Sequence, residues 1–600
     1  MQNALTLLSS VFGYPAFRGE QEAIVNHVAG GGHALVLMPT GGGKSLCYQI
    51  PALMRDGMAL VVSPLIALMQ DQVAALTELG VAAACLNSAT SPDEARDIAR
   101  RARAGTLDLL YVAPERLLTP RFLAFLDSVP LSLLAIDEAH CVSHWGHDFR
   151  PEYQQLGMLA ERFPQVPRIA LTATADQQTR EDILHYLKLS DARVFLSSFD
   201  RPNLFYQVLE KHNAKKQVLA FIQNEHPGAS GIVYCLSRKR VEDMAQWLVE
   251  NGIRALPYHA GLGHDVRERN QRDFIREEGV VMVATLAFGM GIDKPDVRFV
   301  AHVDMPKSPE NFYQESGRAG RDGLPATSWM CYGLNDVVQL SGMIQNSEMA
   351  DLQKQVELGK LDAMLAFCET PGCRRQHILK FFGEDSAPCG HCDNCLHPPV
   401  LYDATLPVRK LLSCIYRVGQ RFAASHVVDV LMGKMTPLME GTRHHDLPTF
   451  GVGKEFNQRQ WRSVIRQLVA RKLVEVDLAR GQSLVLTAGC RPLLKGEELI
   501  YLRPLAAEKT GARQGPADRW LRTEREERLW QALRRWRKER ADEHNVPAYA
   551  VFSDKTLREL VERRPADLRE LGRIHGLGEL KLARYGGDLM TLLKDSREEG

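Results

Sequence analysis

An apolar run, Leu133-Leu134-Ala135-Ile136, ends abruptly in Asp137-Glu138-Ala139-His140. Upstream of it another, Ala34-Leu35-Val36-Leu37, opens into Met38-Pro39-Thr40-Gly41-Gly42-Gly43-Lys44-Ser45. No other feature constrains the fold as strongly. A strand running into a glycine-rich turn and Lys-Ser sets bare backbone N–H groups, an ammonium and a hydroxyl around a polyphosphate. The second strand delivers two carboxylates to the same place. Asp137 is placed to hold Mg²⁺ opposite Ser45, and Glu138 to orient and deprotonate water. Thr40, Gly41, Gly42, Gly43, Lys44 and Ser45 are thus the expected phosphate and Mg²⁺ site. Lys44, Asp137 and Glu138 are the expected catalytic groups of a nucleoside triphosphatase.

The surrounding chain repeats this strand-then-helix rhythm. Strands are expected over residues 34–38, 58–63, 109–113, 133–136 and 168–172, each ending in polar or turn-forming residues. Strands separated by helices predict a parallel α/β sheet, whose chemistry collects at the carboxyl ends of the strands. After Asp200 the rhythm restarts, with strands expected over residues 231–235, 254–258, 280–284 and 299–303. This second α/β unit has no phosphate loop. It carries Gln314-Glu315-Ser316-Gly317-Arg318-Ala319-Gly320-Arg321-Asp322 instead. On a helix, arginines three apart share a face, so Arg318 and Arg321 are expected to reach a γ-phosphate held by the first unit.

These residues together resemble the RecQ DNA helicases of superfamily 2, in their bacterial form, through most of the chain. Tyr14, Arg18 and Gln21, around Phe17-Arg18-Gly19-Glu20-Gln21, resemble the family's adenine-reading element. Ser63 to Gln72 and Tyr111 to Arg116 resemble its strand-tracking motifs. Asp137-Glu138-Ala139-His140 is similar to its DEAH box, and Thr285 to Lys294 and Gln314 to Arg321 to its motifs V and VI. The resemblance favours Arg321 as the arginine finger. Met38 stands where a generic phosphate loop has its first glycine, a position that helicases of this superfamily relax. The family assignment implies two RecA-like parallel-sheet domains. It also implies an ATP-dependent 3′-to-5′ DNA helicase of recombination, repair, replication and the SOS response. Its expected partners are single-stranded, forked and branched DNA.

One residue beyond the box begins Cys141-Val142-Ser143-His144-Trp145-Gly146-His147-Asp148-Phe149-Arg150. Trp145 and Phe149 offer faces on which unpaired bases stack, at about 1–3 kcal/mol per base. His147 and Arg150 are polar partners for the strand, Arg150 for a phosphate. In the family this loop couples strand binding to hydrolysis. The net charge of +1 excludes a field-driven grip on DNA, so such local patches must supply it.

Of the twelve cysteines, four cluster at Cys373, Cys389, Cys392 and Cys395. Four thiolates this close suit a closed tetrahedral zinc site. A redox C-x-x-C pair needs only two thiols and normally opens a helix in a βαβ setting. Cys368, His391 and His397 are alternative ligands by spacing, and the resemblance selects the four cysteines.

Six segments are expected: RecA-like domains at residues 1–200 and 201–342, a zinc-binding module at 343–403, a winged-helix (RQC) domain at 404–505, a linker at 506–518 and an α-helical HRDC bundle at 519–600. In the winged helix, Trp461, Val464, Ile465 and Leu468 form an apolar stripe. Arg459, Arg462 and Arg466 lie on the other faces, with Arg459 and Arg462 set for duplex backbone. A single-strand-binding protein is a candidate partner for the same domain. In the bundle Leu529, Leu533 and Trp536 form a stripe among Arg528, Arg534, Arg535, Arg537 and Lys538. Its removal is expected to alter choice of DNA structure and leave ATP turnover nearly unchanged. With no run of eighteen apolar residues and no basic leader, the chain is expected in the cytoplasm, and the resemblance implies a monomer at the nucleoid.

Overall fold

The structure is a computed structural model that describes residues 3–39, 41–87, 90–143, 149–173, 175, 177–289, 294–477, 480–504 and 523–598. Thr40, Trp145, His147, part of motif V and the expected linker lie outside the described residues.

The first lobe is a parallel sheet of β1 (Ala34–Leu37), β2 (Met58–Val62), β3 (Ala83–Leu86), β4 (Leu109–Val112), β5 (Leu131–Ile136), β6 (Arg168–Thr172) and β7 (Arg193–Leu196). Among the described residues their order is β3-β4-β2-β5-β6-β1-β7. Alternate residues of the inner strands face opposite cores. Leu35 and Leu37 pack with Leu60 and Val62, whereas Ala34 and Val36 pack with Ile24 and Ile50. Burial on both faces is why these strands are continuous apolar runs. The five expected strands are present; β3 and β7 were not expected.

The second lobe is parallel too, with β8 (Leu204–Glu210), β9 (Gly231–Tyr234), β10 (Ala255–Tyr258), β11 (Val281–Ala284), β12 (Phe299–His302) and β13 (Ala326–Tyr332). Their order is β10-β11-β9-β12-β13-β8 among the described residues. β8 and β13, paired along seven residues, were not foreseen.

Beyond the lobes, helices Asp351–Glu369 and Arg374–Phe381 carry the cysteine-rich module. Helix Gln458–Ala470 follows, opened by a reciprocal Asn457–Gln460 capping box. Its stripe of Trp461, Val464, Ile465 and Leu468 is buried as expected. Strands Val474–Asp477 and Ser483–Leu486 pair antiparallel behind it as the wing.

Arg459 and Arg462 are exposed, but Arg466 departs from its expected place on an outer face. Its guanidinium is buried against Glu369 and lies 3.0 Å from Glu210. Burial alone would raise the Glu369 carboxyl, but Arg466 and Arg503 hold it down at about 2. This ionic knot, which includes the Tyr332 hydroxyl, ties the winged helix to the zinc module and the second lobe.

The terminal bundle closes on Leu529, Leu533, Phe552, Leu557 and Leu589. Among the described residues no helix is long and apolar enough to cross a membrane.

Candidate active site

The carboxyl ends of β1, β2, β4, β5 and β6 meet the second lobe at a cleft of about 610 Å³. It is lined by Gly41, Gly43, Lys44, Ser45, Asp137 and Glu138 from the first lobe and by Gln314, Arg318 and Arg321 from the second. Tyr14, Arg18 and Gln21 line the same cleft. Every described residue proposed above for the nucleotide site lines it except Gly42. That residue lies on the same loop, where its carbonyl accepts from Gln21 Nε2 at 3.0 Å.

The phosphate loop is held open by backbone geometry. Gly41 and Gly43 have φ of +79° and +81°, which a side chain would strain. A Cβ on Gly41 would lie 3.3 Å from the Arg321 Cα, so the motif VI segment is in van der Waals contact with the loop. The two lobes are thus closed on each other at the point where the triphosphate would sit. Lys44 Nζ donates to the Met38 carbonyl at 3.2 Å, lying back over the loop. Gln21 accepts from the Arg18 N–H at 2.8 Å through Oε1, so both ends of its amide are engaged.

Glu138 stands in the left-handed region at φ +48°, an uncommon conformation for a non-glycine residue. The turn brings its Oε2 within 3.4 Å of His140 Nδ1, which also lies 2.9 Å from Thr172 Oγ1 at the end of β6. Burial, with Lys44 and Arg150 nearby, pushes the His140 imidazole down to about 3. A neutral ring therefore links the box to the next strand through hydrogen bonding, without a charge of its own. The Tyr153 hydroxyl donates to the Asp137 carbonyl at 3.0 Å.

Arg318 and Arg321 reach the cleft by a different route from the one expected. The helix Pro309–Ser316 carries Gln314 but ends before either arginine. Gly317 closes it, and Gly320 takes φ +59°. Arg201, buried in the connection between lobes, donates to the carbonyls of Gly317 (3.0 Å), Ala319 (2.9 Å) and Gly320 (3.1 Å). Gly317 is the cap of the helix, and the other two carbonyls belong to the turn that follows it. The arginines are therefore aimed by a pinned turn. Arg201 was not anticipated, because nothing local marks an arginine whose partners lie more than a hundred residues away.

Of the aromatic loop, Cys141 to Ser143, Phe149 and Arg150 are described. The Arg150 N–H donates to the Cys141 carbonyl at 2.9 Å, and its guanidinium donates to the Pro64 carbonyl at 3.3 Å. It also lies 4.0 Å from Glu115. The loop's far end is thus anchored to both strand-tracking segments.

The four cysteine sulfurs lie within 4.8 Å of one another. Cys389 and Cys395 are 3.9 Å apart and Cys373 and Cys392 4.0 Å. A tetrahedron with Zn–S bonds of about 2.3 Å has edges of about 3.8 Å, so the set suits Zn²⁺. Backbone N–H groups of Arg374 and Cys389 donate to Cys392 Sγ and Cys373 Sγ at 3.3 and 3.2 Å, stabilising thiolates. Cys368, His391 and His397 stand outside the cluster found among the described residues.

Family models match along the chain: DEAD/DEAH box helicase at residues 18–183, helicase conserved C-terminal domain at 211–323, RecQ zinc-binding at 334–396, RQC domain at 398–510 and HRDC domain at 526–593. With the cleft described, they define an ATP-hydrolysing helicase motor with a zinc-binding module. The chain is 44% identical to an ATP-dependent DNA helicase RecQ of Haemophilus influenzae, over 99% of this chain and 96% of that one. It is 39% identical to the RecQ of Bacillus subtilis, over 98% and 97%. The chain belongs to the RecQ family of ATP-dependent DNA helicases.

Proposed function

We propose that this helicase moves 3′-to-5′ along single-stranded DNA and opens forked or branched duplexes during recombination and repair. The observation that supports the motor reading is the contact between Gly41 and Arg321, which sets both lobes against one cleft. Lys44 binds the β and γ phosphates. Ser45 and Asp137 would hold Mg²⁺, which would supply charge neutralisation. Glu138 takes the proton of the attacking water. Gln314 contacts the water or γ-phosphate, and Arg321, with Arg318 beside it, stabilises charge as the bond to the leaving phosphate breaks. Tyr14 stacks on the adenine and Arg18 contacts its edge. Gln21 meets the base while its amide Nε2 stays bonded to the Gly42 carbonyl, which couples base binding to loop geometry.

When the γ-phosphate leaves, Arg321 loses its anionic partner and the lobes separate. One cycle thus moves one lobe along the strand. The polarity is proposed by resemblance to the family. The chain works as a monomer on chromosomal DNA. Arg459 and Arg462 contact duplex backbone, and a single-strand-binding protein docks on the winged helix.

Strand displacement with ATP tests this on 3′-tailed, 5′-tailed and forked duplexes, with an RNA duplex as control. The 3′-tailed and forked DNA should be opened and the others left intact. Preferential opening of the 5′-tailed or RNA duplex would refute the reading. Trp145→Ala should leave the KM for ATP unchanged while removing most stimulation of turnover by single-stranded DNA. Retained stimulation would remove the loop's coupling role.

A further inference from the structure

The nucleotide cleft has a third wall, built by the carboxyl-terminal bundle: Tyr549, Lys555 and His575 line it beside Arg18 and Tyr14. The bundle is fastened to both lobes. On the first, the Gly576 N–H donates to the Gly13 carbonyl at 2.8 Å. The two glycine turns meet so closely that a Cβ on Gly13 would lie 2.6 Å from Gly578 N. The His575 ring sits 4.9 Å from that of Tyr14, and Arg584 pairs with Glu78 at 2.8 Å. On the second, Arg537 pairs with Glu278 at 2.6 Å and Lys538 with Glu277 at 2.7 Å, and Arg534 joins Glu278. Arg537 is therefore buried between carboxylates, Asp554 being the other at 2.9 Å. It is not part of a solvated basic face.

Lys555 is the informative residue. It is half-buried at the cleft and has no hydrogen bond or ion pair among the described residues. Burial, then Arg18, pushes its amine downward, with Glu559 and Asp322 opposing. Both of those carboxylates are already engaged. Asp322 pairs with Arg298 at 2.6 Å, and Glu559 with Arg563 at 3.0 Å and with the His575 N–H at 3.0 Å. An ammonium in a cleft made for a polyanion, with its neighbouring carboxylates committed elsewhere, is matched by the anion that enters the cleft.

We propose that Lys555 is a nucleotide-binding residue, supplied from the terminal bundle to the ribose–phosphate portion of ATP. This rests on the assignment of the cleft as the ATP site. ATP binding and bundle docking then strengthen each other by the same factor. It also replaces the expectation that turnover is indifferent to loss of the bundle: without it, KM for ATP rises.

Steady-state ATP turnover of the full chain at saturating single-stranded DNA tests this. Lys555→Ala should raise KM for ATP roughly tenfold, the size of one charge-assisted contact, with kcat within about twofold. Lys555→Arg should restore KM. Glu278→Lys, which undoes docking far from the cleft, should raise KM similarly, and the double variant no further than the larger single change. A Lys555→Ala chain with wild-type KM overturns the proposal, as does a raised KM that arginine fails to restore. Equilibrium ATP binding by Lys44→Ala separates the two readings: if that variant binds ATP as tightly as the wild-type chain, the ATP-site assignment itself fails.

Discussion

Glu138→Gln lowers kcat for ATP by about 10²–10⁴-fold, the usual contribution of a positioned general base, and leaves ATP binding intact. The amide keeps the shape of the side chain and its approach to His140 but cannot accept the water's proton. The size of the effect follows from how the residue is held. β5 is buried on both faces and ends at Ile136, so Asp137 and Glu138 emerge from a rigid element. The left-handed turn at Glu138 then aims its carboxylate at the neutral His140, itself fixed to Thr172 at 2.9 Å. His140 is a poor substitute, because burial with Lys44 and Arg150 nearby pushes its imidazole down to about 3 and leaves it a weak base. Phosphate release measured beside equilibrium ATP binding checks both halves. A variant retaining more than a tenth of wild-type kcat would reassign the base.

Cys392→Ser, or zinc stripped by a strong chelator, unfolds the module and loosens the second lobe. Structural zinc contributes about 10–16 kcal/mol of apparent binding free energy near neutral pH, and that binding is folding free energy. The structure shows what depends on it. Asp393, next to Cys392, pairs with the fully buried Arg374 at 3.0 Å and accepts the β8 Val208 N–H at 3.0 Å. Arg374 also donates to the carbonyls of Phe367 and Cys368 at 2.8 and 2.9 Å. If the knuckle opens, a buried guanidinium loses its carboxylate, a strongly destabilising event, about 3–5 kcal/mol for a broken buried pair. Wild-type chain should carry one zinc. Cys392→Ser should carry none and be cut readily by protease around residues 370–400. Full zinc occupancy with an unchanged melting temperature would contradict this account.

What the sequence showed and hid follows from the range of each interaction. The phosphate loop, the DEAH box and the cysteine knuckle are local patterns, and each is where its spacing placed it. β3 and β7 escaped notice because Ala83-Ala84-Cys85-Leu86 is made of small residues and Arg193 to Leu196 is a largely exposed edge. β8 and β13 carry Gln207, Thr327 and Ser328 in their buried interiors, which broke the apolar run. The arginine pair was placed on a helix because spacing alone cannot see Arg201 pinning the turn that follows Ser316. Arg466 read as surface because its partners, Glu369 and Glu210, come from other domains. The docked bundle had no local signature at all: Gly13 and Gly576 are ordinary turn glycines until they meet.

On the function proposed above, ATP is broken between two lobes whose closure is governed by a DNA strand. ATP turnover by the zinc-loaded full chain, with and without a single-stranded oligodeoxynucleotide, tests it most directly. The predicted result is a slow basal rate that rises manyfold with DNA and falls to background in Arg321→Ala. A turnover rate that ignores added DNA in active, zinc-loaded protein would contradict it.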